Sequence, residues 1–134
     1  MSIDITVDDS CIGAFQELNS KRDINTVIYR LNATMDRIVP CFQGNLTHEE
    51  LLEAMPASDL RFVVYDLPFA APDGARRRTV AMISWCPGSL DATQQAACAA
   101  GYSALRDALD GVEVFVEATK TSDLEYQKLV PRAA

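Results

Sequence analysis

Apolar positions along the chain change their period several times, and each change marks a predicted element. In "DDSCIGAFQELN" (8–19), Ile12, Phe15 and Leu18 fall near helical spacing behind Asp8 and Asp9, which suit the positive end of a helix. "INTVIYRL" (24–31) alternates and is rich in β-branched residues, so it predicts a strand. "MDRIVPCF" (35–42) predicts its neighbour, with Pro40 arguing against an interior hydrogen-bonding position. "THEELLEAM" (47–55) opens on Thr47 with Glu50 three residues later, the capping-box spacing that starts a short helix. The most apolar strands are "LRFVVYDLPF" (60–69) and "RTVAMISW" (78–85). "AAPDGARR" separates them, and its Asp73-Gly74 pair signals a hairpin turn.

After Pro87 comes a long stretch of helix-forming composition that Asp110-Gly111 ends. "VEVFVEA" (112–118) is a further alternating strand, and "SDLEYQKLV" (122–130) is a last short helix stopped by Pro131. This order predicts an α/β (α+β) fold with helices on both faces of a mixed central sheet of about five to six strands. One domain is expected over residues 1–134, without repeats or linkers. The long helix has a run of small residues at its middle, Ala96 to Gly101. Such a run packs closely on a sheet, or lets a partner lie close against it, and opposite sides of one helix serve both purposes.

Composition narrows the function. Hydrophobic residues at 49% and charged residues at 23% suit a folded soluble chain, and no apolar stretch is long enough to span a bilayer. The start, "MSIDITVDDS", lacks the basic and apolar segments of a targeting peptide, so a cytoplasmic location is expected. A net charge of −7 argues against nucleic acid as the main partner. The cysteines Cys11, Cys41, Cys86 and Cys98 form no CxxC pair and are expected to be free thiols.

No catalytic constellation emerges, and neither a metal nor a cofactor is implied. His48 is the only histidine, at the start of a helix where a solvated position is expected. The glycines are scattered singly, so no phosphate loop is present, and the cysteines are too widely spread for zinc. Asp8-Asp9 and Glu49-Glu50 are adjacent pairs explained by helix starts. Cys86, between Trp85 and Pro87, has neither a histidine partner nor a basic neighbourhood and is expected to be a packed thiol. The four cysteines are the only support for a thiol-dependent enzyme, and a non-enzyme is the expectation.

Taken together, "VDDSCIGAFQEL", "VIYRL", "VVYDLPF", "SWCPGSLDATQQA", "ALRDALDGV" and "SDLEYQKLV" resemble, in order and spacing, the actin-depolymerising factor/cofilin family. The resemblance covers almost the whole chain and implies the actin-depolymerising-factor-homology fold, a mixed sheet between helices. It implies an actin-binding protein, cytoplasmic and cytoskeleton-associated, that binds monomers and filament sides and promotes depolymerisation, severing and turnover. A monomeric protein is expected. On this resemblance the monomer-binding surface comprises Ser2, Ile3 and Asp4 of the tail, Thr93, Gln95 and Ala96 of the long helix, whose Leu105 and Leu109 fit the core, and Ser122 and Asp123 of the turn before the last helix. The filament surface comprises Arg76, Arg77 and Arg78 of a basic hairpin loop, with Lys128 and Arg132 near the C-terminus. Ser2 is the candidate for phosphorylation, displaced by about a residue from the family's serine.

The chain departs from the family at the helix. Relatives carry two basic residues and a methionine where this sequence has Thr93, Gln95 and Ala96. Exposed ion pairs contribute ~0–1 kcal/mol each, against about 2 kcal/mol or more for a buried interface anchor, so the missing methionine weighs more than the missing charges. Weakened monomer binding is expected. This keeps open a coactosin-like or glia-maturation-factor-like protein that binds filaments or branch junctions without strong disassembly. The basic surface used for phosphoinositides is also reduced, since Asp107 follows Arg106, and only weak binding of these lipids is implied.

Overall fold

A computed structural model describes residues 5–21, 23–70, 73–125 and 128–129. The elements run β1 (Thr6–Val7), α1 (Asp9–Gln16), β2 (Thr26–Leu31), β3 (Arg37–Gly44), α2 (His48–Ala54), β4 (Arg61–Ala70), β5 (Arg76–Trp85), α3 (Ala92–Ala108) and β6 (Val114–Ala118). The strands form one mixed sheet in the order β1-β3-β2-β4-β5-β6. β1 with β3 and β5 with β6 are parallel, and the three inner pairs are antiparallel.

Side chains alternate across a strand, and here both faces are buried. Val27 and Tyr29 of β2, Phe62 and Val64 of β4, and Val80 and Met82 of β5 point to one face, which α1 and α3 cover. Ile28, Val63, Tyr65, Leu67, Ile83 and Trp85 point to the other, under α2 and the C-terminal residues Leu124 and Leu129. Burial on both sides explains why the sequences of β4 and β5 are almost continuously apolar.

Helix starts are fixed by side-chain caps. Asp8 accepts from the Ser10 amide at 3.1 Å to cap α1, and the expected capping box of α2 is present between Thr47 and Glu50. α3 has a second such box. The Gln94 amide donates to Asp91 at 2.8 Å, and the Asp91 amide donates to Gln94 at 3.2 Å.

Several boundaries differ from expectation. α1 stops at Gln16 and continues as a π-helical turn, Glu17–Lys21, that keeps Leu18 in the core. β1 is too short to leave a periodic signal. β3 runs two residues further than predicted, and Pro40 lies at a bulge on it: Ile28 pairs with Phe42 and Tyr29 with Pro40, leaving Cys41 as the extra residue. β1 covers only Arg37 and Ile38, so the missing N–H of Pro40 falls beside an uncovered edge, where it is tolerated. The last helix is replaced at its start by a 3₁₀ turn, Thr121–Leu124, because the Asp123 carboxylate folds back onto Thr119; Lys128 and Leu129 are helical.

The smallest residue of α3 sets how the helix sits. A Cβ on Gly101 would lie 2.7 Å from Cζ of Phe62 and 3.1 Å from its Cε2, closer than carbon atoms can approach without displacement. The absent side chain therefore lets the helix backbone rest on a fully buried ring. Gly101→Ala should lower the midpoint of chemical denaturation. The overpacking cost of about 1–3 kcal/mol outweighs the ~1 kcal/mol that alanine gains in helix propensity. A raised midpoint would show that the helix sits further from the sheet.

Candidate functional site

α3 divides cleanly by side. Ala97, Cys98, Gly101, Tyr102 and Leu105 are buried, as the expected core role of Leu105 and Leu109 requires. Ala92, Thr93, Gln95, Ala96, Ala99 and Ser103 are exposed. The outer side of the first three turns is thus a low-relief strip without charge. Thr93 and Ala96 face outward freely, whereas Gln95 turns back, its Nε2 donating to the Leu90 carbonyl at 2.9 Å.

Beside this strip lies the turn after β6. Thr119 and Ala118 share a cavity wall with Gln95 and Ala99. Asp123 Oδ2 accepts from the Thr119 amide at 3.1 Å and its hydroxyl at 3.3 Å. The amide bond, with the hydroxyl's help, holds the Asp123 carboxyl below the ordinary carboxylate range. Ser122 is half-buried in the same turn. β1 lies against α3, which places the start of the described chain on this side of the molecule. Ser2, Ile3 and Asp4 fall outside the described residues.

A residue that sequence reasoning set aside fixes this turn. His48 is half-buried and engaged: its Nε2 lies 2.7 Å from the Leu124 carbonyl, and its ring stands 6.1 Å from that of Tyr65 at 57°. A carbonyl only accepts, so Nε2 carries the proton. The helix start that accounted for His48 in sequence therefore also ties α2 to the Thr121–Leu124 turn.

The arginines differ from expectation as well. Arg76 and Arg77 are not loop residues, whereas Arg78 lies in the strand predicted to begin with it. The three pair with Ala70, Phe69 and Pro68 as the first residues of β5, because the turn is tight around Asp73 and Gly74, whose φ is 86°. Alternation sends Arg76 and Arg78 to the α1/α3 side and Arg77 to the α2 side. Arg78 is ion-paired with Asp66, a β4 carboxylate only 2% exposed in its side chain against 42% for the arginine. Arg77 makes an exposed 3.4 Å pair with Asp73, and Arg76 is exposed. All three are exposed, and of the three Arg78 is the one paired with a buried carboxylate. Lys128 is exposed, and Arg132 lies outside the described residues.

Among the described residues, no group of three or more His, Cys, Asp or Glu side chains is arranged to hold a metal ion, and no helix is long and apolar enough to cross a membrane. Asp91, Gln94 and Asp66 also shape the two surfaces and were not singled out from sequence. The Asp91-x-x-Gln94 spacing was available as a signal, whereas nothing local marks Asp66 as the partner of Arg78.

Removing Arg78 should strand a buried carboxylate. Arg78→Ala is expected to cost about 1.5–3 kcal/mol of stability, whereas Arg76→Ala should stay within about 0.5 kcal/mol. Urea unfolding of the two variants checks this, and equal effects would contradict the division of roles.

The comparisons with known proteins agree with this geometry. The family described as cofilin/tropomyosin-type actin-binding protein matches residues 4–134. A cofilin of Mycosarcoma maydis is 25% identical over 135 residues, covering 100% of this chain and 97% of that protein. The crystal structure of Streptomyces griseoflavus cofilin superposes with a TM-score of 0.88 at 26% identity, covering 97% of each chain. Human coactosin-like protein shares the fold, with a TM-score of 0.80 at 14% identity over 98% of this chain and 89% of that one.

Proposed function

Because the chain belongs to the cofilin/tropomyosin-type actin-binding protein family, matched over residues 4–134, we propose that it binds actin monomers and filament sides and promotes filament depolymerisation, severing and turnover. The observation that carries this reading is the division of α3. Its buried side is fixed on the sheet, and the outer side of its first three turns, with Thr93 and Ala96, is exposed, uncharged and free of large apolar side chains. A helix so smoothed fits a cleft in a partner by close backbone approach, and the Ser122–Asp123 turn flanks it. Ser2, Ile3 and Asp4 complete the monomer surface in this proposal.

The filament surface is proposed at the opposite element, the tip of the β4–β5 hairpin, with Arg76, Arg77 and the Asp66-paired Arg78 as its exposed charges and Lys128 and Arg132 as C-terminal contributors. On a chain of net charge −7, paired exposed arginines fit an acidic patch on a partner. We assign the chain as one cytoplasmic, cytoskeleton-associated domain over residues 1–134, acting as a monomer and binding phosphoinositides weakly. A second reading is favoured by one specific observation. Gln95 is turned onto the Leu90 carbonyl, and no large apolar or basic side chain projects from Thr93, Gln95 or Ala96. That face suits a coactosin-like or glia-maturation-factor-like protein that holds filaments or branch junctions without strong disassembly.

Cosedimentation with filamentous actin, with the actin left in the supernatant measured alongside, separates the readings. The proposed function predicts binding together with a rise in supernatant actin, and the second reading predicts binding without the rise. Ala96→Asp should cost at least tenfold in monomer affinity, about 1.4 kcal/mol, with an unchanged melting temperature, since Ala96 is exposed. Arg76→Ala combined with Arg77→Ala should weaken filament binding about threefold or more, because each exposed pair contributes ~0–1 kcal/mol, and should leave monomer binding within about twofold. Parallel loss of both activities in either variant would overturn the two-surface assignment.

A further inference from the structure

The four thiols occupy four different environments. Cys11 is fully buried in the core and donates to the Ile38 carbonyl at 3.2 Å, so an oxidant in solvent does not reach it. Cys41 is exposed at the β3 bulge, on the edge of the sheet away from β5 and β6. Cys86 and Cys98 share a place. Both line a cavity of about 350 Å³ between α3 and the ends of β5 and β6, walled also by Pro87, Gln95, Ala99 and Tyr102. Cys98 is buried, with its sulfur 3.5 Å from Ser84 Oγ, and Cys86 is half-buried. The Cys98 sulfur also lies 3.9 Å from the carbonyl oxygen of Trp85, the residue before Cys86, so the two side chains meet at the end of β5; burial raises the Cys98 pKa to about 12.

We propose that Cys86 and Cys98 are an oxidisable dithiol that closes to an intramolecular disulfide under hydroperoxide, fastening α3 to the end of β5. Both residues sit on fixed backbone. Cys98 is in the second turn of a capped helix, and the Cys86 amide donates to the Ala118 carbonyl at 2.9 Å. The space beside them supplies what a disulfide needs and a tightly packed pair lacks, which is room for the Cys86 side chain to rotate toward its partner. Gln95 and Ala99 on its wall are exposed, so the cavity opens to solvent and is roomy enough to admit small molecules.

The chemistry balances as follows. The Cys86 thiolate, on the more accessible side chain, attacks one peroxide oxygen. The O–O bond breaks, Cys86 becomes a sulfenic acid, and the departing hydroxide leaves as water with the thiol's proton. The Cys98 sulfur then displaces the hydroxyl from the sulfenic sulfur. The S–S bond forms, and a second water carries off the Cys98 proton. Two thiols and one peroxide give one disulfide and two waters, with both sulfurs oxidised and both peroxide oxygens reduced. The inference rests on the cavity and the two sulfurs, and it stands whether or not the actin reading holds.

The test is oxidation of the folded full-length chain with hydrogen peroxide, followed by denaturation, alkylation and peptide mapping. The expected product is a monomer about 2 Da lighter with a Cys86–Cys98 cross-link, a higher melting temperature, and Cys11 still alkylatable. Cys86→Ala should abolish the cross-link, whereas Cys41→Ser should leave it intact. Because Cys86 is only half-buried, the alanine variant is expected to fold, which its circular dichroism spectrum and melting curve verify. The inference is overturned if Cys86 ends as a sulfinic acid while Cys98 remains alkylatable. It is equally overturned if the cross-link maps to Cys41, or if all four thiols survive conditions that oxidise free glutathione.

Discussion

The contact between the α3 backbone at Gly101 and the ring of Phe62 decides which side of that helix the molecule shows to solvent. Phe62 stands on β4, in the middle of a six-stranded sheet, and is buried completely. A helix lying that close cannot rotate about its axis without driving a Cβ into the ring. Ala97, Cys98, Tyr102 and Leu105 are thereby committed to the core, and Thr93, Ala96, Ala99 and Ser103 to the outside. The capping box between Asp91 and Gln94 fixes where the helix begins, so the outer strip has a defined start as well as a defined direction. The orientation of the proposed monomer surface is therefore a consequence of core packing. Its chemistry, low relief without charge, is what remains once the inner side has been satisfied.

The opposite end of the molecule depends on a different balance. β4 and β5 run ten residues each. The buried sides of both strands end near Asp66 and Thr79, beyond which Pro68 and residues 73–78 are exposed. A carboxylate at that boundary is costly to bury without a partner, and Arg78 supplies one from the same face of the neighbouring strand. The pair closes the core and engages one of three consecutive arginines. Arg76 and Arg77 stay clear of that pair, on opposite faces of a strand end, with Arg77 in a weak exposed pair with Asp73, and the exposed side of Arg78 lies beside them. The two proposed surfaces thus have different physics. One excludes water by shape, and the other attracts by charge and is screened by salt.

Much of this was legible in the sequence because it is local. The alternation in "INTVIYRL" and the Asp73-Gly74 turn each act within a few residues, as does the Thr47–Glu50 box, and all three appear as expected. So does the assignment of Leu105 and Leu109 to the core. What escaped is long-range. His48 gains its partner 76 residues away at Leu124, and Arg78 gains its partner across the hairpin at Asp66. Cys86 and Cys98, which lack any metal or redox spacing in the sequence, come to one cavity only because α3 folds back over the end of β5. Arg76 and Arg77 were placed in a loop because their charge reads as solvent, although a strand extending past its core is solvated just as well. β1 is two residues long and has no period to detect.

The central claim is that the outer side of α3 and the adjoining turn after β6 form one recognition surface, separate from the hairpin tip. Amide hydrogen exchange of this chain, alone and with an excess of monomeric actin, tests it most directly. Amides in the first turn of α3, which have no partner within the helix, and amides across Thr119–Leu124 should gain protection, while the segment around Asp73 to Arg77 exchanges as in the free protein. Protection concentrated in the hairpin, with the start of α3 unchanged, would contradict the account.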